Sequence, residues 1–233
     1  MKVAIMQPYF FPYIGYFQLI NSVDEFVIYD NIQFTKKGWI NRNRILVNQK
    51  DDFISLPLQK DSDYLNVNQR FLSDTWSVDR KKMLNKIVES YRKAPQFESA
   101  YPLFEKCLMI EESNLFGFIH HSLKETLQYL SISTKIKVSS TINIDHQLKS
   151  EEKVLAICKA QNASTYINPS GGIELYSKER FEQNGIRLQF QNSNPINYIQ
   201  YKNEFVPWLS ILDVLMFNTK DEIKSFLSDY QFI

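Results

Sequence analysis

Between Lys36 and Arg44 the chain carries four cations, Lys36, Lys37, Arg42 and Arg44, and no acid. Guanidinium forks pair with phosphate through two parallel hydrogen bonds, and lysines add point charge. Trp39 stands among them and can stack on a base or a sugar. Gln33, Asn41 and Asn43 can orient sugar hydroxyls or a base. If this segment is a strand, Asn41 and Asn43 face one way and Arg42 and Arg44 the other, so one pair alone would meet a ligand. Asp30, the one carboxylate of residues 30–44, can orient a lysine, bind a ligand amine, act as a base or serve a turn. The patch is local, the net charge is +1 and no recognition helix is evident, so a phosphate-bearing small molecule fits better than a duplex. A solvated basic loop around a buried Trp is the plainer alternative.

Hydrogen-bonding aromatics also gather in residues 7–16. Gln7, Tyr9, Tyr13 and Tyr16 offer polar tips and flat apolar faces, which suits a nucleobase or a sugar. Pro8 and Pro12 stiffen the backbone, and Gly15 permits close approach of a ligand or of neighbouring backbone. An aromatic lid over the core would carry the same residues. In residues 168–176, Ser170, Gly171 and Gly172 stand between a strand pattern and a helix pattern. Backbone N–H groups there can hold an anion or a carboxylate, or simply make a tight turn. Asp30, Tyr16 and His120 are the candidate catalytic groups, although His120 also reads as a boundary histidine beside Phe116, Leu123 and Leu127. His146 stands alone near a turn. No His/Cys/Asp/Glu cluster has metal-ligand spacing, so no protein-held metal is expected.

These segments need a scaffold. The apolar run from Lys2 to Met6 reads as a buried first strand, residues 12–20 as a helix opening near a proline, and residues 25–30 as a second strand. Residues 45–60 read as a hairpin around Gln49, Lys50, Asp51 and Asp52. The period predicts a helix over residues 79–93, stopped by Pro95, and a helical region from Pro102 to about residue 130, broken near Ser113 and Asn114. Then come a strand at 135–139, a helix at 150–161, a strand at 164–168, a helix at 174–184 stopped by Gly185, a strand at 186–190, and helix from Trp208 onward. Such alternation predicts βαβ units: an α/β fold with a mainly parallel, Rossmann-like and nucleotidyltransferase-like sheet, a helical insertion at about 79–131, and one domain over residues 1–233. Open parallel sheets bind ligands beyond the carboxyl ends of their strands, where the segments at 7–16 and 30–44 fall.

With 44% hydrophobic and 23% charged residues, the composition is that of a globular protein. No run approaches the roughly 18 uncharged apolar residues of a membrane span. Gln7, Pro8 and the tyrosines interrupt any leader-like run at the N-terminus, and the two cysteines, Cys107 and Cys158, read as buried reduced thiols. The expectation is a cytoplasmic protein.

Two resemblances follow. Tyr13-x-Gly15-Tyr16 after a strand and a proline resembles the His-x-Gly-His motif of the nucleotidyltransferases, with spacing similar to pantothenate synthetases. It implies ATP-phosphate contacts at Tyr13 and Tyr16, where tyrosine can donate a hydrogen bond but brings no imidazolium charge. More broadly, residues 7–16 match QP-x-(F/Y)-(L/F)P-x-x-GY and residues 30–44 match D-x-x-QF-x-(R/K)-(R/K)-x-W-x-NRN-(R/K), patterns that resemble the WbqC-like family. A late pattern over residues 185–215 meets Tyr198, Gln200, Pro207, Leu209, Ser210 and Asp213. The resemblance implies work on an activated sugar in O-antigen, lipopolysaccharide or other surface-polysaccharide biosynthesis. The expected activity is that of a transferase placing an acyl or aminoacyl group on the amine of a nucleotide-linked sugar. In that scheme Lys36, Lys37, Arg42 and Arg44 neutralise the diphosphate, Trp39 and the tyrosines hold base and sugar, and Asp30 or a histidine takes the amine proton. The alternatives are an adenylating amide ligase that uses ATP and a non-catalytic nucleotide-sugar binding protein. Expected partners are a nucleotide sugar and an acyl or amino-acid donor, without duplex nucleic acid or membrane insertion; a homo-oligomer is compatible with the sequence.

Overall fold

The computed structural model describes residues 1–202 and 204–233. Short apolar runs form the strands β1 (Lys2–Met6) and β2 (Glu25–Ile28), joined through α1 (Ile14–Asn21), in which every residue from Ile14 to Ile20 is buried. A hairpin, β3 (Arg42–Val47) and β4 (Lys50–Ser55), and three helices follow: α2 (Trp76–Tyr91), α3 (Phe97–Leu108) and α4 (Leu115–Tyr129). The chain then alternates through β5 (Lys135–Val138), α5 (Ser150–Ala160), β6 (Thr165–Pro169), α6 (Lys178–Gln183) and β7 (Arg187–Ser193). It closes with α7 (Ile211–Phe217), α8 (Lys220–Phe226) and β8 (Tyr230–Phe232).

Six strands make one sheet in the order β5-β2-β1-β6-β7-β8, parallel except for the β7–β8 pair. Counted along the chain this is the 3-2-1-4-5-6 order of the doubly wound fold, whose direction of winding reverses between β1 and β6. Alternation along β1 divides the core. Val3 and Ile5 join Val154, Ile157 and Phe181 of α5 and α6, while Ala4 joins the cluster that contains α1, α7 and the helices α2 to α4. Among the described residues no helix is long and apolar enough to cross a membrane.

Four local expectations change. The hairpin starts at Arg42 and turns at Asn48 and Gln49, with φ of +48° and +72°, the left-handed pair that matches strand twist. It forms its own two-stranded sheet. α3 begins at Phe97 and contains Pro102, which has no N–H for the carbonyl four residues back; the break that follows ends where Asn114 caps α4 by accepting from Gly117 N at 3.1 Å. The helix expected over 174–184 divides into a 3₁₀ turn (Ser170–Leu175) and α6, because Ser177 caps α6 and Tyr176 turns inward against Tyr166 and Phe181. The C-terminal helices give way to β8, whose three residues are too few for a periodic signal. Gly185, at φ +72°, stops α6 as its position suggests.

Candidate functional site

A cleft of about 1040 Å³ opens beyond the carboxyl ends of β1 and β6, at the reversal of strand order. A smaller cavity of about 640 Å³ lies at the opposite ends of the strands, beside Ser164, Arg187 and Phe232. The larger one brings together the segments at 7–16 and 168–176 with part of 30–44: Gln7, Tyr9, Tyr13, Gly15, Gln33, Trp39, Ser170, Gly171 and Gly172 all line it.

Its first wall is the turn from β1 to α1. Phe10 and Phe11 plunge into the core, while Tyr9 and Tyr13 stay half-buried on the cleft, where burial raises both phenols. Phe11 takes a φ of +40°, rare for a bulky residue. Its carbonyl is held by Asn43 Nδ2 at 2.9 Å and Ser210 Oγ at 2.7 Å. Ser210 also caps α7 by accepting from Leu212 N. Tyr16 is buried and donates its hydroxyl to Gln7 O at 2.9 Å, so it braces the turn from beneath and does not line the cleft. A Cβ on Gly15 would meet the Tyr13 ring and come within 2.7 Å of Ser193 Oγ. Close approach is therefore needed there, and the neighbours are protein groups.

The floor is the 3₁₀ turn after β6. A Cβ on Gly172 would strike the Asn168 amide, whereas Gly171 faces open space. Asn168 accepts from Tyr166 at 3.0 Å and donates to Pro169 O at 3.0 Å, and Ser170 Oγ donates to Asn192 at 3.1 Å.

The opposite wall holds groups whose role was not evident in the sequence. Lys149, Ser150 and Lys153 from the start of α5 line the cleft with His146, Tyr29 and Asn31. The α5 N-terminus has no side-chain cap. Its first-turn Glu151, which also lines the cleft, and Glu152 pair with Arg180, at 3.1 and 2.8 Å. Lys153 is only 4% exposed and, among the described residues, has no carboxylate at ion-pair distance. Its Nζ reaches the His146 carbonyl at 3.5 Å and sits 5.1 Å from the centre of the Tyr29 ring. Burial pulls its pKa down and the Asp30 charge partly restores it; burial likewise pushes the Tyr29 phenol up to about 12. The signal in the sequence was a lysine on the apolar stripe of α5, beside Val154, Ile157 and Cys158.

Asp30 lies behind this wall, 2% exposed, accepting from Ser139 Oγ, Ser140 N and Asn68 Nδ2 at 2.8, 2.9 and 2.8 Å. The same Ser139 hydroxyl lies 2.7 Å from Asn31 Oδ1, and Asn31 Nδ2 donates to His146 Nδ1 at 3.0 Å. An amide donor on Nδ1 assigns the ring proton to Nε2, which faces Ile142 O at 3.1 Å. The carboxylate does not line the cleft; Ser139, whose one hydroxyl proton serves either Asp30 or Asn31, stands between it and the Asn31–His146 pair that does. His120 stands elsewhere, on α4, stacked on Phe116 at 5.4 Å, with its pKa lowered by burial and by Lys124.

Three of the four cations of the basic segment meet protein groups, Lys36 at the surface and Arg42 and Arg44 half-buried, while Lys37 is exposed. Lys36 pairs with Asp63 at 2.8 Å. Arg42 donates to Gly38 O and Lys37 O at 3.1 and 2.7 Å and lies 4.6 Å over Phe53. Arg44 pairs with Asp51 at 3.0 Å, donates to Trp208 O at 3.3 Å and lies 5.7 Å over Trp39. Asn41 donates to Leu56 O at 3.0 Å, and Asn43 is buried. None of Lys36, Lys37, Asn41, Arg42, Asn43 and Arg44 lines the cleft; Arg44 braces Trp39 and Trp208, and Asn43 braces the first wall. The strand alternation foreseen for Asn43 against Arg42 and Arg44 holds, with Asn43 as the inward member.

Cys107 and Cys158 are buried free thiols, each pushed up to about 12 by desolvation. This argues against either as a nucleophile.

No solved structure matches the chain. An uncharacterized protein of Mycobacterium tuberculosis (strain ATCC 25618 / H37Rv), Rv1507c, is 32% identical over 232 residues, covering 97% of each chain. The family model described as "WbqC-like protein family" matches residues 7–225, from the turn after β1 through α7 into α8. On that match this chain belongs to the WbqC-like protein family.

Proposed function

We propose that this protein is a transferase acting on a nucleotide-linked amino sugar, placing an acyl or aminoacyl group on the sugar amine in surface-polysaccharide biosynthesis. The observation that carries the reading is Lys153: among the described residues this buried ammonium has no carboxylate at ion-pair distance, only the more distant Asp30 charge, and it stands at the uncapped start of α5 on a cleft at the switch point of the sheet. A buried cation is costly unless an anion completes it. Lys153, the first N–H groups of α5 and the 3₁₀ turn at Ser170 to Gly172 receive the diphosphate. Tyr13, Trp39 and Trp208 supply flat faces for base and sugar. Gln7, Tyr9 and Gln33 add polar tips on the same cleft. Asp30 and Tyr16 are positioning residues, acting through His146 and the Gln7 turn. The cleft volume of about 1040 Å³ leaves room for a donor beside the nucleotide sugar.

The test is a thermal-shift and calorimetric panel of UDP, dTDP, their amino-sugar conjugates, ATP and AMP against wild type and Lys153→Met. Ligand at one hundred times its dissociation constant adds about 2.7 kcal/mol of stability. The reading expects sugar nucleotides to give the largest shift, and Lys153→Met to lose it. A preference for ATP with AMP release would replace it with an adenylating ligase. Binding of the sugar nucleotide without turnover by any acyl donor would leave a binding protein.

A further inference from the structure

Among the described residues, several buried side-chain nitrogens and oxygens have no hydrogen-bond partner, and one of them, Gln191 Oε1, belongs to a residue lining the cleft. Gln191 is 3% exposed. Its backbone is engaged on both sides, in register with Pro169 of β6 and Phe232 of β8, so the residue is held in the sheet and its amide is the part left over. Alternation along β7 sends Leu188 and Phe190 to the core cluster that α5 helps to build, and Gln191 to the opposite face of the sheet from Phe190. The amide is therefore on the α1 side of the cleft, two residues before the Ser193 hydroxyl that packs at Gly15, while Lys153 is on the α5 side.

We propose that Gln191 is a specificity-determining residue: its amide accepts a hydrogen bond from a hydroxyl or acylamino N–H of the ligand's uncharged glycosyl end. The inference rests on the nucleotide-sugar reading above and gives that ligand a direction, anionic end at Lys153 and neutral end at Gln191. A buried acceptor that awaits a donor favours a group carrying O–H or N–H and disfavours a second anion. Sites of this kind reject analogues lacking the donor more strongly than apolar pockets reject a missing methylene.

The experiment compares wild type with Gln191→Leu, of similar bulk, by calorimetry against UDP, UDP-N-acetylglucosamine and free N-acetylglucosamine, alongside melting of the apo proteins. The expected result is an apo melting temperature unchanged or raised, UDP affinity within twofold, and affinity for the sugar-bearing probes at least tenfold weaker. A lowered apo melting temperature would overturn the proposal, because it would reveal an internal partner for the amide. So would equal affinity of the two proteins for both sugar probes, or failure of wild type to bind either of them. Failure of UDP alone, with free N-acetylglucosamine still discriminating the two proteins, would sink the nucleotide reading and leave the role of Gln191 standing.

Discussion

Asn43 holds Phe11 in a left-handed conformation: its Nδ2 donates to the Phe11 carbonyl at 2.9 Å and to the Phe10 carbonyl at 3.1 Å, while its Oδ1 accepts from Arg44 N at 2.8 Å. Through this contact the β3 hairpin sets the shape of the turn that carries Tyr9 and Tyr13. Replacing Asn43 by alanine leaves buried carbonyls short of donors and releases the strain at Phe11. We expect Asn43→Ala to cost about 2 kcal/mol in chemical denaturation. It should also weaken ligand binding, although Asn43 does not line the cleft. Unchanged denaturation would show that Ser210 alone holds the turn.

Gly15→Ala should separate stability from binding. The atoms a Cβ would meet are the far ends of the Tyr13 and Ser193 side chains, which can swing away. The expected cost is below about 1 kcal/mol, less than is usual for overpacking a rigid core. The Tyr13 ring would move toward the cleft, so affinity for its ligand should fall severalfold. A large loss of stability without loss of affinity would contradict this geometry.

Lys153 and Arg42 make opposite predictions. Arg42 is satisfied by two backbone carbonyls and the Phe53 ring, so Arg42→Ala should leave nucleotide affinity within twofold. Lys153→Met removes an ammonium that has no carboxylate partner among the described residues. Its apo melting temperature should stay within about 3 °C of wild type or rise, since 1 kcal/mol moves a chain of this size by roughly that much. Anion binding should be lost. Loss of binding in Arg42→Ala with retention in Lys153→Met would return the phosphate to the basic segment.

Asp213 is fully buried and accepts from Tyr91, Tyr198 and Gln200 at 2.8, 2.6 and 2.7 Å. Burial raises its pKa, against the lowering effect of those donors. A folded value above the unfolded one means stability that is complete below the ordinary carboxyl value and falls as pH rises toward the folded value. Asp213→Asn cannot accept with both terminal atoms, so it should be destabilised by about 1–3 kcal/mol. The gap between wild type and this variant should be widest near pH 4 and narrow as pH rises, read from denaturation midpoints across that range. A gap that widens with pH would mean that the three donors outweigh burial.

Much of the site was legible because it is local. The tyrosines, Pro8 and Pro12 of the first turn, and the glycine pair after β6, are contiguous segments at strand ends, and the cleft is where such ends converge. The basic segment read differently in three dimensions. Density of Lys and Arg reports charge along the chain, but Asp51, Asp63 and the carbonyls of Lys37, Gly38 and Trp208 that occupy Lys36, Arg42 and Arg44 are brought up by the hairpin and by folding. Lys153 is inconspicuous in the sequence for the converse reason: a single lysine in an otherwise ordinary helix pattern carries no local density.

By itself the sequence determined the family, the alternation of strand and helix, and the gathering of the 7–16 and 168–176 segments at one end of the sheet, since these depend on short apolar runs, turn residues and contiguous motifs. Tertiary structure alone decided which charges are spent internally and which face the cleft, because solvation and counter-ions are set by segments distant in the chain. It also decided that Asp30 stands behind the cleft wall, next to Ser139 and the Asn31–His146 pair. It placed Lys153 and Gln191 on opposite sides of the sheet, where, among the described residues, one has no carboxylate at ion-pair distance and the other's Oε1 has no donor.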